Sequence, residues 1–255
     1  INQSSELGVV FRQVYDTLVY RDPVTREVVP GLATDWTISE DGLTYTFQLR
    51  EGVTFHDGTS FNADAVAANI DRIFDVSDPG LASQRSRFML GAFAGYDILD
   101  EYTIQFQLSQ PYSPLMDSLS QVYLGMGSPA AFEAHGRDTY QFHQVGTGPY
   151  RLDEFVPGDR IILRLNDDYT WGPDFYTRDE TAVPEQIIYR FYTDPSTRRP
   201  VLEANEVDVI GELVPVDART LVGSGDFRIL PTPVAGQPLQ FLMNTTQYPT
   251  DNTTF

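Results

Sequence analysis

Residues 39–58 read SEDGLTYTFQLREGVTFHDG, and their spacing decides the fold. Tyr45, Phe47 and Leu49 alternate with Thr44, Thr46 and Gln48, so one face of an extended segment is apolar and the other polar. Upstream, Trp36 and Ile38 repeat that period, and Glu40-Asp41-Gly42 lies between the two runs. The pattern predicts a β-hairpin over Gly31 to Arg50. Phe55-His56-Asp57-Gly58 makes a second turn, and the glycines at 31, 42, 52 and 58 fall where turns favour positive φ.

Working outward, Asn62-Ala63-Asp64 caps a helix running to about Phe74, with Val66, Ile70 and Ile73 on its buried side. Leu7 to Tyr20 reads as an amphipathic helix carrying Val10, Phe11, Val14, Tyr15 and Leu18 at helical spacing, stopped by Arg21-Asp22-Pro23. The stretch from Val76 to Arg87 is polar and reads as a surface loop. A second hairpin pairs Gly95 to Leu99 with Thr103 to Leu108. Ser113 to Ser120 reads as a short helix, Val122 to Met126 as a short buried strand, and Pro129 to His135 as a helix with proline in its first turn. Val145-Gly146-Thr147-Gly148-Pro149 turns into strands at Tyr150 to Phe155 and Arg160 to Leu165. Gln186 to Tyr192 alternates as a strand, and Asp194 caps a helix reaching Asn205. Val207 to Ile210 is a strand by pattern, Val216 to Val222 a helix, and Phe227 to Pro231 and Leu239 to Met243 are strands. No repeat of 20 to 50 residues is visible, which excludes a solenoid.

Composition narrows the chemistry. With 36 acidic residues against 17 basic ones the net charge is −19, and all 17 cations are arginine because the chain contains no lysine. A lysine Schiff base and a lysine-bearing phosphate loop are therefore excluded. The negative field disfavours nucleic acid and anionic membranes as partners. Zero cysteines exclude disulfides, thiolate metal sites and thiol nucleophiles. His56, His135 and His143 are too scattered for a zinc pair at helical spacing, so no metal site and no cofactor is expected. N-x-[ST] triplets at Asn2, Asn244 and Asn252 are common enough to arise by chance. No apolar run reaches the ~18 residues of a membrane span.

In order and at matching spacing, several motifs resemble the family 5 extracellular solute-binding proteins, receptors for dipeptides, oligopeptides and nickel. They are Val14-Tyr15-Asp16-Thr17-Leu18-Val19, Val29-Pro30-Gly31-Leu32-Ala33, Trp36, the hairpin from Ser39 to Phe47, Arg50 to Gly58, and Asn62-Ala63-Asp64-Ala65-Val66. Later come Val145 to Tyr150, Asn166 with Tyr169 and Trp171-Gly172, and Asp194-Pro195-Ser196-Thr197-Arg198. The resemblance implies a mixed α+β fold of the type II periplasmic-binding-protein kind, with a mixed sheet, flanking helices and a hairpin-rich subdomain. On that scheme residues 1–30 and 151–255 build the lobe I core and residues 31–150 are inserted. Lobe II and the C-terminal return are expected to lie outside this chain, as is a first strand.

By the same resemblance, ligand contacts are expected at Gln3, Ser4 and Ser5, at Tyr123, Gly125 and Met126, at Arg87 on a cleft edge and at Asn244 at the hinge crossing. Free N–H groups at a helix start hold a carboxylate or a peptide carbonyl, though helix capping uses them equally well. Tyr123 offers aromatic area and Met126 adaptable shape, and core packing explains both as well. The resemblance implies a monomeric receptor without catalytic residues, periplasmic or anchored as a surface lipoprotein, that captures peptides for the permease of an ABC importer. Nickel complexes, haem and oligosaccharides are alternative cargoes. A hydrolase built on paired carboxylates such as Asp167 and Asp168, and a surface adhesin or signalling module, are the readings from other classes.

Overall fold

The computed structural model describes residues 8–75, 84–176, 183–211 and 213–230. The chain divides into two compact units, Ile1–Phe191 and Tyr192–Phe255. The expected mixture of helices and sheets is what forms, and every strand pairing among the described residues is antiparallel.

The first unit centres on a four-stranded sheet ordered β3-β4-β6-β5, made of β3 (Ala33–Ile38), β4 (Thr44–Leu49), β5 (Phe93–Asp100) and β6 (Thr103–Leu108). The predicted hairpin forms because its turn is built locally. Gly42 takes φ 68°, Asp41 accepts from Ser39 Oγ at 2.6 Å and from Leu43 N at 3.0 Å, and Ser39 Oγ accepts from Thr44 N. Register then places Tyr45 opposite Phe106 and Phe47 opposite Ile104. Phe47 and Phe106 are fully buried and meet edge to face at 5.3 Å. Helix α2 (Ala63–Phe74) starts at Asn62, whose side chain accepts from Ala65 N, and its Val66, Ile70 and Ile73 join the same core.

A smaller core forms where α1 (Gly8–Val14) meets the three-stranded sheet β7-β8-β9 (Tyr150–Val156, Arg160–Leu165, Gln186–Arg190). Val10 and Val14 pack there against Tyr150, Ile161 and Leu163. The same unit contains β1 (Val19–Arg21) paired with β2 (Val28–Pro30), α3 (Gln84–Leu90) and α4 (Leu115–Leu119), whose Val19, Leu90, Leu115 and Leu119 join the main core, and α5 (Pro129–Thr139), interrupted at Gly136 with φ 57°.

Several expectations change. The first helix ends at Val14 instead of Tyr20, because its next carbonyls are taken by distant amides. Val14 O accepts from Gly148 N, Asp16 O from Met126 N, Thr17 O from Leu32 N and Leu18 O from Ala33 N, at 2.8 to 3.0 Å. A continued helix would need those carbonyls for its own ladder. The expected strand over Val122 to Met126 is a 3-10 turn at Val122–Leu124 leading into an extended Gly125. The end of the expected 76–87 loop is helical from Gln84, and residues 76–83 lie outside the described residues. Gly31 has no positive φ. Its missing side chain matters because a Cβ there would lie 2.6 Å from Thr17 O.

In the second unit, Asp194 accepts from Ser196 N as the predicted cap, but the helix is a 3-10 turn at Pro195–Thr197 followed by α6 (Arg198–Glu203). Helix α7 (Pro215–Ser224) extends the expected 216–222 helix and ends at Gly225 with φ 78°. Arg199 bonds Glu203 at 2.8 Å and lies 3.5 Å from Asp217. Residues 207–210 and 227–230 form no strand, and Val209 is left 85% exposed, since alternation alone supplies no ladder partner. The expected strand at 239–243 lies outside the described residues.

Candidate ligand-binding site

The site is built from the segment that leaves α1. Residues 14–17 are flanked on one side by the 122–126 turn and on the other by the 145–149 turn, and glycines permit both approaches. A Cβ on Gly125 would sit 2.7 Å from Tyr15 Cβ, one on Gly146 2.0 Å from Val14 O, and one on Gly148 2.6 Å from Gln13 O. Tyr15 Oη completes the contact with Tyr140 Oη at 3.0 Å and Gln144 Oε1 at 3.2 Å.

Asp16, 1% exposed, holds the junction together. Its Oδ1 accepts from Tyr20 Oη at 2.5 Å and Tyr169 Oη at 2.9 Å, and its Oδ2 from Thr147 Oγ1 at 2.9 Å and Trp171 Nε1 at 3.1 Å. Burial pushes its carboxyl above the ordinary range while these four donors pull it back. The same burial beside a carboxylate raises the Tyr20 and Tyr169 phenols. Thus the Tyr169 and Trp171 of the sequence motif exist to satisfy the Asp16 of another motif more than 150 positions earlier.

His56 locks the second flank. Gly146 N donates to Nδ1 at 3.3 Å, so the ring proton sits on Nε2, 2.9 Å from the carbonyl of Gly148. Desolvation, with Arg151 nearby, lowers its pKa to about 4. This histidine is a neutral clamp between the 56–59 turn and the 145–149 turn.

Beside this scaffold lies a groove of about 280 Å³ between α3, α4 and the 3-10 turn. Phe88, Met89, Tyr112, Gln121 and Tyr123 line it, together with Asp117 and Ser118 of α4. Phe88 is 81% exposed, far more than an aromatic ring of a packed core. Asp117 is paired with Arg21 at 2.7 Å. Aromatic faces with a few amide and hydroxyl groups suit the recognition of a small solute.

Of the expected contact residues, Tyr123 stands in this groove. Gly125 contributes close backbone packing against Tyr15, and Met126, 2% exposed, lies in the main core and lines no part of the groove. Arg87 is turned to α2, donating from Nε to Ile73 O at 2.8 Å with its Cζ 5.7 Å from the Phe74 ring. One of its buried terminal nitrogens has no partner among the described residues. Gln3, Ser4, Ser5 and Asn244 lie outside the described residues. The start of α1 nonetheless adjoins the turn, since a Cβ on Gly8 would lie 3.9 Å from Val122 Cγ1. Phe88, Met89, Tyr112 and Gln121 escaped the sequence reading, and the one local signal was the apolar run Phe88-Met89-Leu90 after a polar stretch. Asp167 and Asp168 sit in an exposed turn, not a strand, and Asp168 lies 3.5 Å from Arg151. Among the described residues, no group of three or more metal-ligating side chains comes together.

The pattern of bacterial extracellular solute-binding proteins, family 5 Middle, matches residues 27–255. The chain therefore belongs to the family 5 bacterial extracellular solute-binding proteins. It is 36% identical over 222 residues to the glutathione-binding protein GsiB of Escherichia coli strain K12, covering 87% of this chain and 41% of that protein. The ABC transporter-associated periplasmic binding protein DppA of Helicobacter pylori in complex with peptide STSA superposes with TM-score 0.75 at 30% identity, over 87% of this chain and 45% of the other. NikA of Brucella suis with Fe(III)-EDTA superposes with TM-score 0.72 at 30% identity, over 86% of this chain and 42% of the other. The chain thus spans about two fifths of the length of the curated relatives it matches. The expectation of a family 5 receptor fold is borne out.

Proposed function

We propose that this chain forms one lobe of the solute-binding component of an ABC importer, capturing dipeptides and oligopeptides outside the cytoplasmic membrane and delivering them to the permease. The carrying observation is the open groove that the exposed Phe88 lines together with Tyr123, Tyr112 and Gln121. Family membership and the glutathione and peptide named for two relatives support a short peptide as cargo. On this reading residues 1–30 and 151–255 form the lobe core and residues 31–150 its inserted subdomain. The receptor acts as a monomer, periplasmic or anchored as a lipoprotein, without catalysing a reaction. Gln3, Ser4, Ser5 and Asn244 complete the contacts, and Arg87 ties α3 to α2 through Ile73 O.

The groove supplies area and a few hydrogen bonds, and closure of a second lobe supplies the rest of the affinity. Thermal unfolding of the full-length protein is measured with glutathione, dipeptides, tetrapeptides, nickel–histidine and iron chelates. A shift with peptides alone, reduced by Phe88→Ala and Tyr123→Ala at unchanged basal melting temperature, supports the reading. A shift only with metal chelates moves the cargo to the class seen in NikA, and no shift with any of them refutes it.

A further inference from the structure

Residue 16 stands where separated parts of the chain meet. All four groups on its carboxylate donate hydrogen bonds, so it is held as the anion. No arginine or histidine pairs with it among the described residues. An apolar side chain would fill the same space without desolvating a charge. What the anion adds is direction, since each donor must approach along a lone pair and is thereby fixed relative to one backbone unit.

That backbone unit reaches the groove. The carbonyl of Asp16 accepts from Met126 N at 2.9 Å, three residues beyond Tyr123. The carbonyl of Tyr123 in turn accepts from Ser86 Oγ at 3.2 Å, on the helix that carries Phe88. The two groove aromatics therefore stand on one connected path from Asp16 through Met126, Tyr123 and Ser86.

We propose that Asp16 is a positioning residue of the solute site, whose anion sets the height of the 122–126 segment and so places Tyr123 in the groove that Phe88 also lines. The proposal rests on the reading of this groove as the ligand floor. Asp16→Asn keeps one acceptor oxygen and turns an NH2 toward two of the four donors.

The test uses the full-length protein with glutathione as probe, and amide hydrogen exchange as a readout that needs no ligand. Asp16→Asn is expected to weaken glutathione binding about tenfold and to speed exchange at the Met126 amide by about the same factor. The Tyr45 and Phe106 amides of the central sheet keep wild-type exchange. Tyr169→Phe and Thr147→Val each remove one donor, leave the anion, and are expected to act in the same direction by about threefold. They carry the same comparison if the asparagine variant does not fold. Unchanged Met126 exchange, or equal acceleration throughout the sheet, overturns the proposal. Wild-type affinity in Tyr123→Ala removes the ligand reading itself and the proposal with it.

Discussion

Acidification tests the His56 clamp. In the unfolded chain its imidazole takes up a proton near 6.5, whereas in the folded protein it does so only at about 4. Between those values the unfolded state binds more protons, so stability is full above pH 6.5 and falls as the pH drops toward 4. At about 1.4 kcal/mol per pH unit, that window is worth about 3 kcal/mol as an upper bound. Physically, a proton on Nδ1 turns the acceptor of Gly146 N–H into a second donor, and the 145–149 turn loses its hold. Asp16 works in the opposite sense: with its carboxyl raised by burial, its contribution is full below the ordinary carboxyl range and is lost as pH rises through the raised value. The comparison therefore needs His56→Gln, which removes only the titrating ring. Urea unfolding of both proteins is followed by circular dichroism from pH 7.5 to 4. The stability difference between wild type and variant is expected to shrink by up to about 3 kcal/mol across that range. A difference independent of pH, or a nitrogen NMR titration placing His56 at its ordinary value, would refute the clamp.

Three further outcomes are expected. Gly146→Ala forces a Cβ to within 2.0 Å of Val14 O and should destabilise by about 3 kcal/mol or abolish folding, read by soluble yield and melting temperature. Phe47→Ala empties a fully buried site against Phe106 and should cost about 3–5 kcal/mol in urea unfolding, with ligand contacts of any surviving protein unchanged. With a net charge of −19 and no lysine, self-repulsion is large at low salt, so the melting temperature should rise between ~0.02 and ~0.5 M NaCl; a fall would mean that the exposed arginine–carboxylate pairs dominate instead.

The hairpin at 33–49, its partner at 93–108 and helix α2 were legible because their signals are local. Alternation, Asp41-Gly42 and the Asn62 cap act within a few residues, and the structure needs nothing distant to interpret them. Tyr123 was legible as a groove residue only through family resemblance. Phe88, Tyr112 and Gln121 come from three segments that periodicity does not connect, so their meeting escaped the sequence reading.

The sequence by itself determined the alternating strands, the capped helices, the arginine-only acidic surface and membership in a receptor family. Tertiary structure alone decided the end of α1, the turn at 122–124 and the roles of Asp16, His56 and Gly146. The physical reason is the range of the interactions. Local propensity speaks for helix through residue 20, but the carbonyls of residues 14, 16, 17 and 18 and the Asp16 carboxylate find donors as far as residue 171, and a buried polar group takes the conformation in which it is satisfied.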